Sequence, residues 1–304
     1  MRQISLLGGV LAALALAVSG CAGAINFNPA GHASYEYEQT RTVTLSLLGL
    51  NFMSNEVLRY RQDVEEVGPE EIEMSFTPIE YTITTSTGDG VRDIHGTKFL
   101  RQPGENPDVS LLRDLAGKRI RVRARRDGTI ARMHAEGGAG DIKDATDLPR
   151  VEELNDNLKR IFIQTHLLLT QNILPAESVR EGQSYRPSGE FAEMGDDGET
   201  KLMMLGTVDD KGGAHLRVDP KIIDSLFKDA SSAVPLPPAL EGQIAFAGEG
   251  SGDFVFDTKR RCVTSGSVAF NARAEQAESK GRGPAPFSVR VAIGVKEVTP
   301  AGSI

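Results

Sequence analysis

Arg119, Arg121, Arg123 and Arg125 recur at every second residue, which on an extended strand sets four guanidinium groups on one face and Ile120, Val122 and Ala124 on the other. A planar guanidinium binds phosphate or carboxylate through two parallel hydrogen bonds, so the row is a candidate anion-binding site for lipid headgroups or an acidic partner. The competing expectation is a solvated outer face laced to Glu65, Glu66, Glu70, Glu71 and Glu73, where each exposed pair contributes about 0 to 1 kcal/mol. Those glutamates lack the spacing of a calcium loop. His32, His95, His134, His166 and His215 lack metal-ligand spacing and no cysteine pair stands near them, so no metal site and no cofactor is expected. Gly248-Glu249-Gly250-Ser251-Gly252 has no Lys-Ser or Lys-Thr after it and no strand-to-helix setting for its serine. Between Phe246 and Phe254 the run instead marks a strong bend in a strand, or a place where a helix backbone comes close. No nucleophile, metal or paired-acid constellation is legible, and the chain is expected not to be an enzyme.

The second chemical signal is Cys21. Arg2 gives a positive start, Ile4 to Val18 an apolar run dominated by Leu, Ala and Val, and Ser19 and Gly20 small residues before the cysteine. This is the pattern of a signal peptide, and the run is shorter than the roughly 20 apolar residues that a bilayer crossing needs. Val18-Ser19-Gly20-Cys21 resembles the lipobox of bacterial lipoproteins. The resemblance implies cleavage between Gly20 and Cys21, two acyl chains on the Cys21 sulfur and a third on its amine. Each buried methylene contributes about 0.8 kcal/mol, and two chains hold a protein stably at a membrane. Ala22 stands where an Asp would imply inner-membrane retention, so the resemblance implies the outer membrane, facing the periplasm. Cys262, deprived of a partner by acylation of Cys21, reads as a small buried apolar residue in a strand.

Composition sets the remaining bounds. Hydrophobic residues make up 39% of the chain and charged residues 25%, which suffices for a packed core. The formal charge of −8 becomes one unit more negative once the segment carrying Arg2 is removed, which argues against nucleic acid as a partner and against broad attraction to anionic lipid headgroups.

The elements that must position these groups are mostly strands. After a signal peptide over 1–20 and a lipidated N-terminus and tether over 21–34, two-residue alternation begins at Tyr35, with Tyr37, Val43, Leu45 and Leu47 on its face. Leu58, Tyr60 and Val64 alternate with Arg59, Arg61 and Asp63 in an antiparallel neighbour. Ile72, Met74 and Phe76 lie out of phase with Ile79, Tyr81 and Ile83, so a bulge or an edge is expected at Thr77-Pro78. A short turn of helix is expected over Val109 to Leu115, and Asp127-Gly128 and Asp210-Lys211-Gly212-Gly213 read as hairpin turns. Between Pro149 and Ile173 the period changes to about 3.6, with Leu154, Leu158, Ile161, Thr165 and Leu168 in one stripe. The spacing predicts a helix roughly 37 Å long. Ile161 to Leu174 carries no Asp, Glu, Lys or Arg, so its second half should be enclosed, with His166 a core histidine satisfied by a hydrogen bond. Asp224 to Ala230 reads as a second short helix, Val234 to Pro238 as an extended link, and Phe287 to Val295 as the cleanest strand.

The expected fold is α+β and mainly antiparallel: one strongly curved sheet, an open or half barrel of about a dozen strands around one long helix, over residues 35–304. Two stacked domains split near Ala176 are the alternative. This body resembles uncharacterised envelope lipoproteins, and the sheet-around-helix pattern is similar in outline to periplasmic carriers of lipoproteins and lipids. The expected function is a membrane-anchored, non-enzymatic module that binds a lipid or other hydrophobic ligand on an apolar concave face. The alternative is a structural or adaptor lipoprotein that binds an envelope protein complex.

Overall fold

The computed structural model describes residues 25, 27–47, 50–90, 92–98, 112–135, 162–175, 182–185, 191–192, 198–210, 214–227, 244–276 and 287–298. Their strands are β1 (Ser34–Leu47), β2 (Leu50–Val67), β3 (Glu71–Ser86), β4 (Arg92–Gly96), β5 (Ile120–Arg125), β6 (Ile130–Ala135) and β7 (Ser184–Tyr185). They continue with β8 (Phe191–Ala192), β9 (Gly198–Asp210), β10 (Ala214–Phe227), β11 (Ile244–Asp257), β12 (Cys262–Gln276) and β13 (Phe287–Glu297). All belong to one sheet with the order β6-β5-β3-β2-β1-β13-β12-β11-β10-β9-β7, β4 and β8 pairing at its flanks. Every pairing is antiparallel, and the seam between β1 and β13 joins the two sides of Ala176 in a single ladder.

Alternation decides which side of this sheet is inner. Tyr37 pairs Tyr60, and Gln39 pairs Leu58. Val64 pairs Met74, and Phe76 pairs Ile120. These side chains are buried, whereas Arg121, Glu66 and Arg123 between them are exposed. The phase change in β3 is the expected bulge: Arg59 pairs Glu80 while Tyr60 pairs Pro78, leaving Ile79 as the extra residue, 45% exposed. Pro78 lies between the part of β3 that pairs β5 and the part that pairs β4, so its missing N–H interrupts neither ladder.

The helical segment plugs the inner side. Helix α1 covers 112–115, as the sequence anticipated, and α2 (Gln164–Leu167) runs directly into a π-helix (Leu168–Asn172). The Thr170 hydroxyl donates to the His166 carbonyl at 2.8 Å, and the Ile173 N–H reaches back five residues to the Leu168 carbonyl at 3.2 Å, which widens the last turn. The expected helix from Pro149 to Ile173 is therefore seen as a short, mixed helix over 162–172, and 149–161 lie outside the described residues. The architecture is a largely antiparallel open sheet with little helix, rather than strands around one long helix. Phe162, Ile163, Leu167 and Leu169 are buried, as expected for a stretch without charge.

The plug also reports the curvature. At its end the Asn172 amide donates to the Asp127 carbonyl in the β5–β6 turn at 3.0 Å, and the Tyr185 hydroxyl of β7 donates to the Ile173 carbonyl at 2.9 Å. In a flat sheet β5 and β7 would lie roughly 40 Å apart, at about 4.8 Å per strand. One short segment touches both, so the sheet curls around it while its edges stay unpaired with each other. Gly128, at φ 82°, makes room in that turn, because a Cβ there would overlap the Asn172 amide.

Two further expectations change. Residues 224–227 continue strand β10, paired to β9 and β11 past a register shift, instead of opening a second helix; the remainder of Asp224–Ala230 and the link Val234–Pro238 lie outside the described residues. The segment expected to stand clear as a tether is strapped to the body over its described part. Ile25 and Phe27 are buried, the Asn28 N–H donates to the Arg261 carbonyl at 3.1 Å, and the His32 N–H donates to the Val64 carbonyl at 2.8 Å. The Arg126 guanidinium clamps this strap, donating to the carbonyls of Phe27 and Gly68 at 2.9 and 2.6 Å and to Asn28 Oδ1 at 3.2 Å. Alternation alone could not reveal a strap whose partners lie in two distant turns, at Arg126 and Arg261, and on β2 at Val64.

Candidate functional site

The inner face divides along its strands into a filled end and an apolar end. At the filled end Tyr37, Tyr60, Phe76, Phe162 and His166 form one aromatic cluster, with Tyr60 and Phe162 edge to face at 4.6 Å and Phe76 and His166 at 5.0 Å. The Tyr37 hydroxyl donates to the Val263 carbonyl at 3.0 Å, and the Tyr60 hydroxyl and His166 Nδ1 share a hydrogen bond at 2.5 Å. Burial pushes the Tyr60 phenol well above its usual range and holds the imidazole neutral, its pKa pushed down to about 3. His166 is thus a core histidine bonded through one nitrogen, while Nε2 is buried without a hydrogen-bond partner among the described residues. Gln62 and Gln171 turn their amides toward the Met74 sulfur at 3.0 and 3.7 Å, which completes a polar seam beside the rings.

Moving along β1 and β2 away from the plug, the same face carries Arg41 opposite Glu56, Val43 opposite Ser54, Leu45 opposite Phe52 and Leu47 opposite Leu50. The Arg41 and Glu56 side chains approach to 3.8 Å, and Arg41 remains 29% exposed. Val43 packs partly against the core, whereas Phe52 and Leu50 are 39% and 57% exposed. Across the seam Val291 pairs Val43 and Phe270 pairs Val291, both buried on this face. An apolar stretch above an Arg41–Glu56 pair can lodge a hydrocarbon chain, with the partly exposed guanidinium at its base.

The glycine run of β11 is continuous strand, and what comes close is sheet and ring rather than a helix backbone. Gly250 and Gly252 face Phe270 and Val268 on β12, and the Phe254 ring lies over Gly266 so closely that a Cβ there would overlap it.

The arginine row stands on the outer face as alternation requires. Glu71, Glu73 and Ser75 of β3 pair Arg125, Arg123 and Arg121. Arg119 donates to Ser75 Oγ at 2.9 Å and meets Glu65 at 2.8 Å, and Arg123 meets Glu73 at 3.1 Å. At least two of the four guanidinium groups therefore already hold carboxylates, the arrangement of a laced outer surface. Beside them His32, Asp63, Glu65, Glu66, Glu73 and Arg119 rim an open depression of about 480 Å³. Among the described residues no group of three or more His, Cys, Asp or Glu is placed to hold a metal ion, and no helix is long and apolar enough to cross a membrane. Cys262 opens β12 buried and unpaired, its thiol pushed up to about 11 chiefly by burial. Gly20 and Cys21 lie outside the described residues. Sequence reasoning named the apolar faces but missed Arg41 as their cation, because Glu56 opposite it belongs to another strand.

No family model matches this chain, and no curated protein sequence does. Among solved structures it is similar to lipovitellin, in a structure concerned with lipid–protein interactions, with a TM-score of 0.49 and 11% identity. That match covers 91% of this chain and 26% of the other, so the chain spans about a quarter of lipovitellin's length. A DUF1329 family protein from Desulfovibrio piger matches with a TM-score of 0.15 and 9% identity, over 90% of this chain and 88% of that one.

Proposed function

We propose that this chain is a lipid-anchored, non-enzymatic lipoprotein of the bacterial envelope, held by acylated Cys21 at the outer membrane on its periplasmic side, that binds a lipid or other hydrophobic ligand. The observation that carries the ligand is the inner face itself: its apolar side chains run on past the plug, from Val43 and Leu45 to Phe52 and Leu50, and the last two stay exposed. Arg41, at the base of this stretch, is the cation an acidic headgroup would meet.

Native mass spectrometry of the full chain carrying Cys21→Ser, purified gently from its host, tests the reading. A co-purifying lipid, and saturable binding of a fluorescent fatty acid that Leu45→Asp weakens at least tenfold, is the expected result. A clean apo mass with no saturable binding overturns it. Recovery of a stoichiometric envelope protein in place of lipid would favour the adaptor function instead.

A further inference from the structure

The β1–β2 hairpin carries three of the exposed large apolar side chains of the described residues close together, Leu50, Phe52 and Met53. Residues 42–55 include no Asp, Glu, Lys or Arg, in a chain of which 25% is charged, so the absence runs through both strands of the hairpin. Leu50 and Phe52 are exposed on the inner side of the tip, and Met53, at 44% exposure, on the outer side. Apolar groups on both faces of one hairpin cannot all be covered by a ligand lying in the concavity, or by a protein laid against one side. A medium that surrounds the tip covers both.

The backbone fits such a medium. Leu47 pairs Leu50 within the hairpin and Phe287 across the seam, while Met53 pairs Ser86 on β3. The described strands of the hairpin are thus bonded to each other and, from Met53 onward, to β3, which limits the polar backbone that a shallow contact would expose. Charges bracket the tip rather than interrupt it. Arg41 and Glu56 face each other below it, and Asp89 and Arg92 stand exposed around the neighbouring β3–β4 turn, whose Gly88 lies against the Asn51 backbone. This spacing suits shallow contact, with apolar side chains about 5–10 Å below the headgroups and the charges among them.

We infer that the β1–β2 hairpin tip, through Leu50, Phe52 and Met53, docks on a lipid surface. This contact shares Leu50 and Phe52 with the proposed inner-face stretch but adds Met53 on the outer face, and it does not require a ligand in the concavity. The chain contains no Trp, so Phe52→Trp provides a unique reporter, and Ile79→Trp, at an exposed outward bulge, the control. Both are made in the full chain with Cys21→Ser and mixed with phosphatidylcholine–phosphatidylglycerol vesicles containing brominated lipid. The expected result is a blue-shifted, quenched indole at position 52 and an unchanged one at 79, with Leu50→Asp/Met53→Asp reducing the quenching at least fivefold while the thermal melt stays unchanged. Equal quenching at both positions, or none at either, overturns the inference. A spectrum at position 52 that shifts with protein concentration in the absence of vesicles overturns it in favour of a second copy of the chain.

Discussion

His166 is the side chain whose ionisation most directly opposes the fold. Free imidazole takes up a proton near pH 6.5, whereas burial among Tyr37, Tyr60 and Phe76 holds the folded one neutral down to about 3. Between those values the unfolded chain binds more protons, so stability present above about pH 6.5 is lost as pH falls, on the order of 5 kcal/mol by the lower limit. His166→Leu should flatten the pH dependence of unfolding free energy below about pH 6 by roughly 1.4 kcal/mol per pH unit. At pH 7 the same variant should be about 1–3 kcal/mol less stable, because the buried Tyr60 hydroxyl loses its hydrogen-bond partner. Urea melts from pH 4 to 7 measure both effects, and equal slopes in the two proteins would refute the first.

Glycine spacing matters at the scale of the element. In β11 and β12 the Phe254 ring occupies the space a side chain at position 266 would need, so tight strand coiling and a large buried ring coexist. Gly266→Ala should cost about 1–3 kcal/mol by overpacking, and pairing it with Phe254→Leu should recover part of that loss. Thermal melts of the single and double variants decide the matter; additive losses would show that ring and glycine are not coupled. The same elements show what the sequence discloses. Two-residue alternation located β1, β2, β5 and β13 and even the bulge beside Pro78, because side-chain phase is a local property. The helix was legible by composition, but its π-turn depends on Thr170 bonding back to His166, and strand β10 past 222 on partners far along the chain. Arg119 and Arg123 had visible glutamate partners in the sequence; Arg41 as the inner cation did not.

At the scale of the whole molecule the strap fixes how the body would hang from its anchor. Three residues lie between Cys21 and buried Ile25, and the four steps from one to the other reach no further than about 14 Å. An acylated Cys21 would therefore hold the Arg126 end of the sheet close to the bilayer, and because the β1–β2 tip stands at the other end of the 14-residue β1, both contacts fit one membrane only with the strands lying along its surface. Cys21→Ser should move the protein from the membrane pellet to the soluble fraction on cell fractionation, and retention in the pellet would refute the anchor. The β1–β13 seam has a consequence in time. A chain made from its N-terminus produces Ser34–Leu47 early, yet one neighbour of that strand does not exist until Phe287–Glu297 has been made. Such distant pairing is slow to form, so the first strand to emerge is among the last to be enclosed on both sides. If Cys21 is trimmed and acylated as proposed, that order leaves an interval in which the first strand beyond it is still open along one side.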